Sequence, residues 1–189
     1  MKPQKSSFQL LGIILFFAAT LSACKKEQVE TNDDEVITSI LVKLTPTIGG
    51  NTLTYSYEDL DGPGGNNPTI QPISLQANQS YNVSLLLLNK TTNPVDTISN
   101  EIINEADAHR FYFEPSANSN ISVGSLDTDG NGNPLGMNSL WTTGDVSNGT
   151  IKITLRHYPG TPPNKASNDP VNSTKSSSDI EVVFDTSIQ

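Results

Sequence analysis

Beyond position 35 the apolar residues recur with a period of two. Ile40, Val42 and Leu44 alternate with Leu41, Lys43 and Thr45 in the β-branched stretch 36–45, which predicts a strand with one better-buried face. Leu53, Tyr55 and Tyr57 repeat the alternation, and Ile73 and Leu75 give a short strand. Tyr81, Val83, Leu85 and Leu87, set against Asn82, Ser84, Leu86 and Leu88, give the longest run, which is expected to be central and buried on both sides. Further strands are expected at 111–113, 121–123, 140–143, 151–155 and 180–184, most of them separated by Gly, Asn, Asp or Pro clusters. Only 98–109 departs from this period: Ile98, Ile102 and Ala106 fall at helical spacing and Glu101 and Glu105 are good helix formers, which predicts one short helix or turn.

About eight or nine short strands with almost no helix cannot make a parallel sheet, because parallel strands need crossover connections. The expectation is an all-β domain over 36–189, an immunoglobulin-like antiparallel β-sandwich. Residues 159–178 carry four prolines among Ser, Asn and Lys and are expected to be a long exposed loop before the last strand. The 19 asparagines suit turns, since the side chain bonds local backbone and tolerates positive φ.

The N-terminus follows another pattern. Lys2 and Lys5 precede an almost uninterrupted apolar run at 10–19, so 1–23 reads as a signal peptide too short to span a membrane and stay. The run ends in Leu21-Ser22-Ala23-Cys24, which resembles the lipobox of bacterial lipoproteins at all four positions. The resemblance implies that Cys24 is diacylated on sulfur, cleaved from Ala23 and acylated on its new amine. Several acyl chains, at about 0.8 kcal/mol per buried methylene, would anchor the protein stably. Residues 24–35 are polar and acidic and are expected to form a flexible tether. Lipoprotein sorting associates inner-membrane retention with Asp after the lipidated cysteine. Lys25 stands there, so the expected location is the cell envelope at the outer membrane.

A chain of 189 residues is one domain's worth and too short for the two large lobes of a periplasmic solute-binding protein. Its net charge is −9, and removal of 1–23 takes away Lys2 and Lys5 and no acid, leaving −11. Such a surface repels phosphates and offers no footprint for nucleic acid. The lipid anchor, not charge, is the expected membrane contact. A single cysteine permits neither an internal disulfide nor a thiolate zinc cage.

Asp127, Asp129 and Asn131, followed by Gly132, place oxygen ligands at every second position before a glycine, the opening of a calcium loop. Position twelve falls on Asn138 rather than Glu and Pro134 stands at position eight, so an EF-hand is not expected. The competing reading is an acidic hairpin turn, as at Glu58-Asp59-Leu60-Asp61-Gly62. His109, four residues after Glu105, and His157, closing a strand, could join as metal ligands or serve as hydrogen-bonded structural residues. No nucleophile elbow, His-Glu-x-x-His or phosphate loop is present, so catalysis is not expected. Aromatic residues could form a stacking platform for a glycan or a hot spot for an envelope protein. Alternation assigns Tyr55, Tyr57 and Tyr81 to the core, whereas Trp141, beside a Gly-rich turn, is the better exposed candidate.

The order of these pieces is itself distinctive: a lipobox, then Tyr57-Glu58-Asp59-Leu60-Asp61-Gly62, Leu75-Gln76-Ala77-Asn78, Glu105-Ala106-Asp107-Ala108-His109, Asp127 to Gly136, Trp141-Thr142-Thr143-Gly144 and Leu155-Arg156-His157. Over most of 36–189 it resembles a family of small uncharacterised lipoproteins from Bacteroidota-type bacteria. Members are sometimes labelled as a type 1 periplasmic binding fold, which alternates strands with helices, unlike the strand-rich pattern here. The resemblance implies export and leaves the ligand open. Two functional expectations stand: a non-catalytic binding or interaction module for a glycan or protein, and a structural envelope lipoprotein with calcium-stabilised loops.

Overall fold

A computed structural model describes residues 35–189, so the expected signal peptide, Cys24 and the tether up to residue 34 lie outside the described residues. The described chain is mostly β. Its strands are β1 (Ser39–Pro46), β2 (Leu53–Glu58), β3 (Thr69–Ile70), β4 (Ile73–Leu75), β5 (Ser80–Leu88), β6 (His109–Pro115), β7 (Ile121–Gly124), β8 (Asn138–Thr143), β9 (Ser147–His157) and β10 (Ser177–Ile188). One helix, α1 (Ile98–Asn104), lies between β5 and β6. The strands form a six-stranded sheet in the order β3-β2-β1-β5-β8-β7 and a four-stranded sheet in the order β4-β10-β9-β6.

The two-layer sandwich is the expected one, and its core follows from the alternation. Ile40, Val42 and Leu44 of β1, Tyr81, Val83, Leu85 and Leu87 of β5, and Trp141 of β8 are buried from one sheet. Phe111 of β6, Ile151, Ile153 and Leu155 of β9, and Val182, Phe184 and Ile188 of β10 are buried from the other. Together they form one hydrophobic cluster. Phe113 meets Trp141 edge to face, with ring centroids 5.8 Å apart. Ile98 and Ile102 of α1 complete the packing, as their helical spacing predicts.

Four details differ from the sequence reading. The pairing of β4 with β10 is parallel, the exception in an otherwise antiparallel fold. β5 is central, between β1 and β8, but its outward residues are exposed at Asn82 and half-buried at Ser84, Leu86 and Leu88, because no layer covers that face. α1 ends at Asn104, and His109 opens β6 instead of lying on a helix.

The fourth difference is 159–178, which is irregular but not simply exposed. Arg110 and Tyr112 of β6 and Arg156 of β9 hold it against the four-stranded sheet. Arg110 Nη1 donates to the carbonyls of Ala166, Ser167 and Asp169 at 3.1–3.2 Å, Tyr112 Oη donates to Asp169 at 2.9 Å, and Arg156 Nη2 donates to Ser173 at 2.9 Å. The Arg110 guanidinium also stacks on Tyr112, 4.4 Å from its centroid. Four prolines remove backbone donors and forbid a ladder, so side chains of the neighbouring sheet supply the hydrogen bonds instead.

Candidate functional site

Three places on the fold gather polar residues, and the first involves both histidines. β6 and β9 pair antiparallel with His109 directly opposite His157, and the two rings stack with centroids 4.9 Å apart at an interplanar angle of 14°. The sequence left their proximity open; the strand register supplies it. His109 keeps the inward parity of Phe111, and its side chain is fully buried.

Glu35, just before β1, reaches the same point, with its Oε1 2.8 Å from His109 Nε2. Asp179 arrives from β10, its Oδ2 4.0 Å from the same nitrogen and its side chain fully buried. Register in the β9–β10 pair shifts between Ser178 and Ile180, so Asp179 is the bulged residue. A bulge re-aims a side chain that regular pleating would send elsewhere. On the other edge of the imidazole, Nδ1 lies 3.1 Å from the Glu105 carbonyl oxygen. The i, i+4 relation of Glu105 and His109 is therefore real, but it runs through backbone, not through two metal-ligating side chains.

Burial opposes an imidazolium at His109, yet the hydrogen bond and charge of Glu35, the Glu105 carbonyl and the charge of Asp179 outweigh it and raise the pKa above the ordinary histidine value. Burial likewise opposes a charged Glu35, and His109 outweighs it, holding that carboxyl below its usual range. Both shifts describe a buried ion pair.

The second place is the segment expected to bind calcium. Asp127 Oδ1 accepts the Gly136 and Asn138 N–H groups at 2.8 and 3.0 Å, and its Oδ2 accepts the Asn138 side-chain amide at 2.8 Å. Asp129 Oδ1 accepts the Asn131 and Asn133 N–H groups at 2.8 and 2.9 Å. Thr128 bridges antiparallel to Pro134, which makes the segment an acidic hairpin turn. Asn131 is exposed and contributes its backbone N–H.

A cation does sit here, but it belongs to the chain. Lys165 Nζ lies 2.9 Å from Asp129 Oδ2 and donates to the carbonyls of Ala106, His109 and Pro134 at 2.5, 2.8 and 3.2 Å. Both side chains are essentially fully buried. The expected ligand set of Asp127, Asp129 and Asn131 is thus divided among backbone donors and an ammonium. Burial would raise the Asp129 carboxyl, but Lys165 and the Asn133 and Asn131 N–H groups hold it below its ordinary value. The Lys165 ammonium is pulled down by burial against the opposing pull of Asp129, so the partners shift in conflicting senses. With four oxygens around one nitrogen, we take the pair as charged at neutral pH.

The third place is the uncovered outer face of the six-stranded sheet. A groove of about 350 Å³ there is lined by Thr45 of β1, Asn82 and Ser84 of β5, Asn138 and Leu140 of β8, and Ser125. A second, of about 480 Å³, is lined by Asn120, Ser122, Thr142 and Asp145 at the β7–β8 edge. The first presents amides and hydroxyls beside Val83 and Leu140, and the second adds Ile121 and the Asp145 carboxylate.

Trp141 does not join these surfaces. Its ring is fully buried and Nε1 donates to Ser139 at 3.0 Å. The expected exposure is corrected: Ser139, Trp141 and Thr143 share the inward parity of β8, and that period outweighs the nearby Gly-rich turn. Tyr81 is likewise a core residue and Tyr55 packs half-buried against the core, their hydroxyls bonded to the Gln76 N–H and the Ser74 carbonyl respectively.

Sequence reasoning missed Glu35, Asp179 and Lys165. Each lies in a polar stretch without period; the one local signal is that Asp179 directly precedes the apolar run of the last strand.

No protein-family model matches the chain, and neither the curated proteins nor the solved structures contain a match to it. Among the described residues, no helix is long and apolar enough to cross a membrane.

Proposed function

We propose that this is a membrane-anchored cell-envelope lipoprotein, held through Cys24 at the outer membrane, that acts as a non-catalytic binding or interaction module. The groove on the outer face of the six-stranded sheet carries this reading. Its Thr45, Asn82, Ser84, Ser125 and Asn138 offer donors and acceptors of modest reach and no charge. That chemistry complements a neutral hydroxyl-rich ligand such as a glycan, since many uncharged hydrogen bonds can form without desolvating an ion. The groove lies on the outer face of the six-stranded sheet, which suits an extended chain better than a small buried substrate.

Saturable binding of the purified protein to neutral oligosaccharides and envelope polysaccharide tests the reading. Removing an amide and a hydroxyl in Asn82→Ala/Ser84→Ala should weaken that binding by about tenfold or more with the melting temperature little changed. Absence of saturable binding, or binding indifferent to the double substitution, counts against it.

A second reading, a structural envelope lipoprotein with stiffened loops, draws on the Lys165–Asp129 pair and the docked 159–178 segment. In that case an internal ammonium stiffens the segment for which the sequence offers either calcium or a plain acidic turn. An envelope defect on deletion, without any ligand for the groove, would favour it.

A further inference from the structure

We propose that Glu35, His109 and Asp179 form a binding site for one divalent transition-metal ion of the zinc class. The inference stands on the arrangement of these three side chains and is independent of the groove.

One ligand atom from each residue, an imidazole nitrogen and two carboxylate oxygens, lies within 4.8 Å of the other two. Ligand atoms about 2.1 Å from a tetrahedral zinc ion stand about 3.4 Å from one another. The Glu35–His109 separation of 2.8 Å and the His109–Asp179 separation of 4.0 Å bracket that value. Small side-chain rotations would bring the three ligands to that spacing, and a water would take the fourth position of a tetrahedral ion. The ion would replace the proton that His109 Nε2 shares with Glu35, and that proton would leave to solvent.

The imidazole is already oriented for this role. Its Nδ1 faces the Glu105 carbonyl, the outer-shell contact that metal-bound histidines commonly make, and it fixes the tautomer whose Nε2 lone pair points at the carboxylates. Stacking on His157 restrains the ring plane from the other side. Glu35 retains a further oxygen, Oε2, that is buried and accepts no hydrogen bond among the described residues.

Class selectivity follows from the donors. A nitrogen ligand and few oxygens fit zinc or a neighbouring first-row ion and fall short of the six to eight oxygens of calcium. The three residues come from the approach to β1, the start of β6 and the bulge of β10, so the ion would tie both sheets together at one end of the sandwich.

The test is a titration of chelator-treated purified protein with zinc by calorimetry, and with cobalt by visible absorption. Uptake of one equivalent is expected, with cobalt d–d bands of a low-coordinate N/O site. The near-isosteric Glu35→Gln and Asp179→Asn should each weaken zinc at least about tenfold, as loss of a ligand costs no less than loss of an outer-shell partner. Trp141 emission and the metal-free melting temperature check that these variants fold, which keeps the test valid if His109→Gln does not. No stoichiometric uptake by the unaltered protein, uptake unaffected by both substitutions in folded protein, or equal affinity for calcium would each overturn the proposal.

Discussion

Lys165→Met isolates the buried ammonium. The substitution keeps an unbranched apolar stem but leaves Asp129 Oδ2 facing a methyl group, and it deprives the Ala106, His109 and Pro134 carbonyls of their shared donor. Breaking a buried pair from one side costs about 3–5 kcal/mol, because the remaining charge is stranded away from water. Three carbonyls losing a donor place the expected loss toward the upper end. In a domain of this size each kcal/mol moves the melting temperature by about 2–4 °C, so a fall of roughly 6–20 °C is expected.

Urea unfolding of the purified protein in detergent measures this. Trp141, the single tryptophan and fully buried, reports the core. Asp129→Asn keeps an acceptor at Oδ1 for the Asn131 and Asn133 N–H groups while removing the charge. The double variant Lys165→Met/Asp129→Asn should therefore be more stable than the sum of the singles by about 1–3 kcal/mol. A loss below about 1 kcal/mol in Lys165→Met, or strict additivity in the double variant, would refute the assignment of a buried, charged pair.

Two further outcomes follow from the same network. The folded Asp129 carboxyl titrates below its ordinary value of 3.8, so its contribution is full above that value and lost as pH falls through the folded one. Urea midpoints should fall on the acid side, and less steeply in Asp129→Asn than in the unaltered protein. Thermal melts of chelator-stripped protein with and without added calcium should coincide, because the oxygens of Asp127 and Asp129 already serve internal donors and a ligand stabilises only by binding the native state. A calcium-dependent rise lost in Asp127→Ala would restore the calcium loop.

The strands were legible because burial of one sheet face imposes a period of two on nearby residues, and that signal is local. The parity of Ile40, Val42 and Leu44 places β1 without knowledge of its partners, and the same rule, applied strictly to Ser139, Trp141 and Thr143, would have buried Trp141. Composition near the Gly-rich turn was the weaker guide. The parallel β4–β10 pair and the two-residue β3 carry no such signal, since a short strand offers too few alternations to reveal a period. At the candidate sites the position of each residue depends on pairing between distant segments. The meeting of His109 and His157 is set by the register of β6 on β9, and the aim of Asp179 by a bulge in β10. Lys165 reaches Asp129 from an irregular segment whose path follows Arg110, Tyr112 and Arg156.

Polar residues without period thus read as tether and loop, although the side chains of Asp179 and Lys165 are buried and that of Glu35 nearly so. The common physical reason is that an ion buried with its partner follows the partner, not the hydrophobic pattern. Glu35 shows what this changes. Under the proposed lipidation of Cys24, any pull from the membrane would enter the described body at Glu35, whose carboxylate is fixed to His109 beside the first strand of the larger sheet. The Glu35–His109 hydrogen bond holds the start of the domain to β6 of the opposite sheet, and the proposed metal ion would add β10. The occupant of the cluster then determines how firmly the body is closed at its anchored end, and Glu35→Gln would loosen that closure without touching the groove on the outer face.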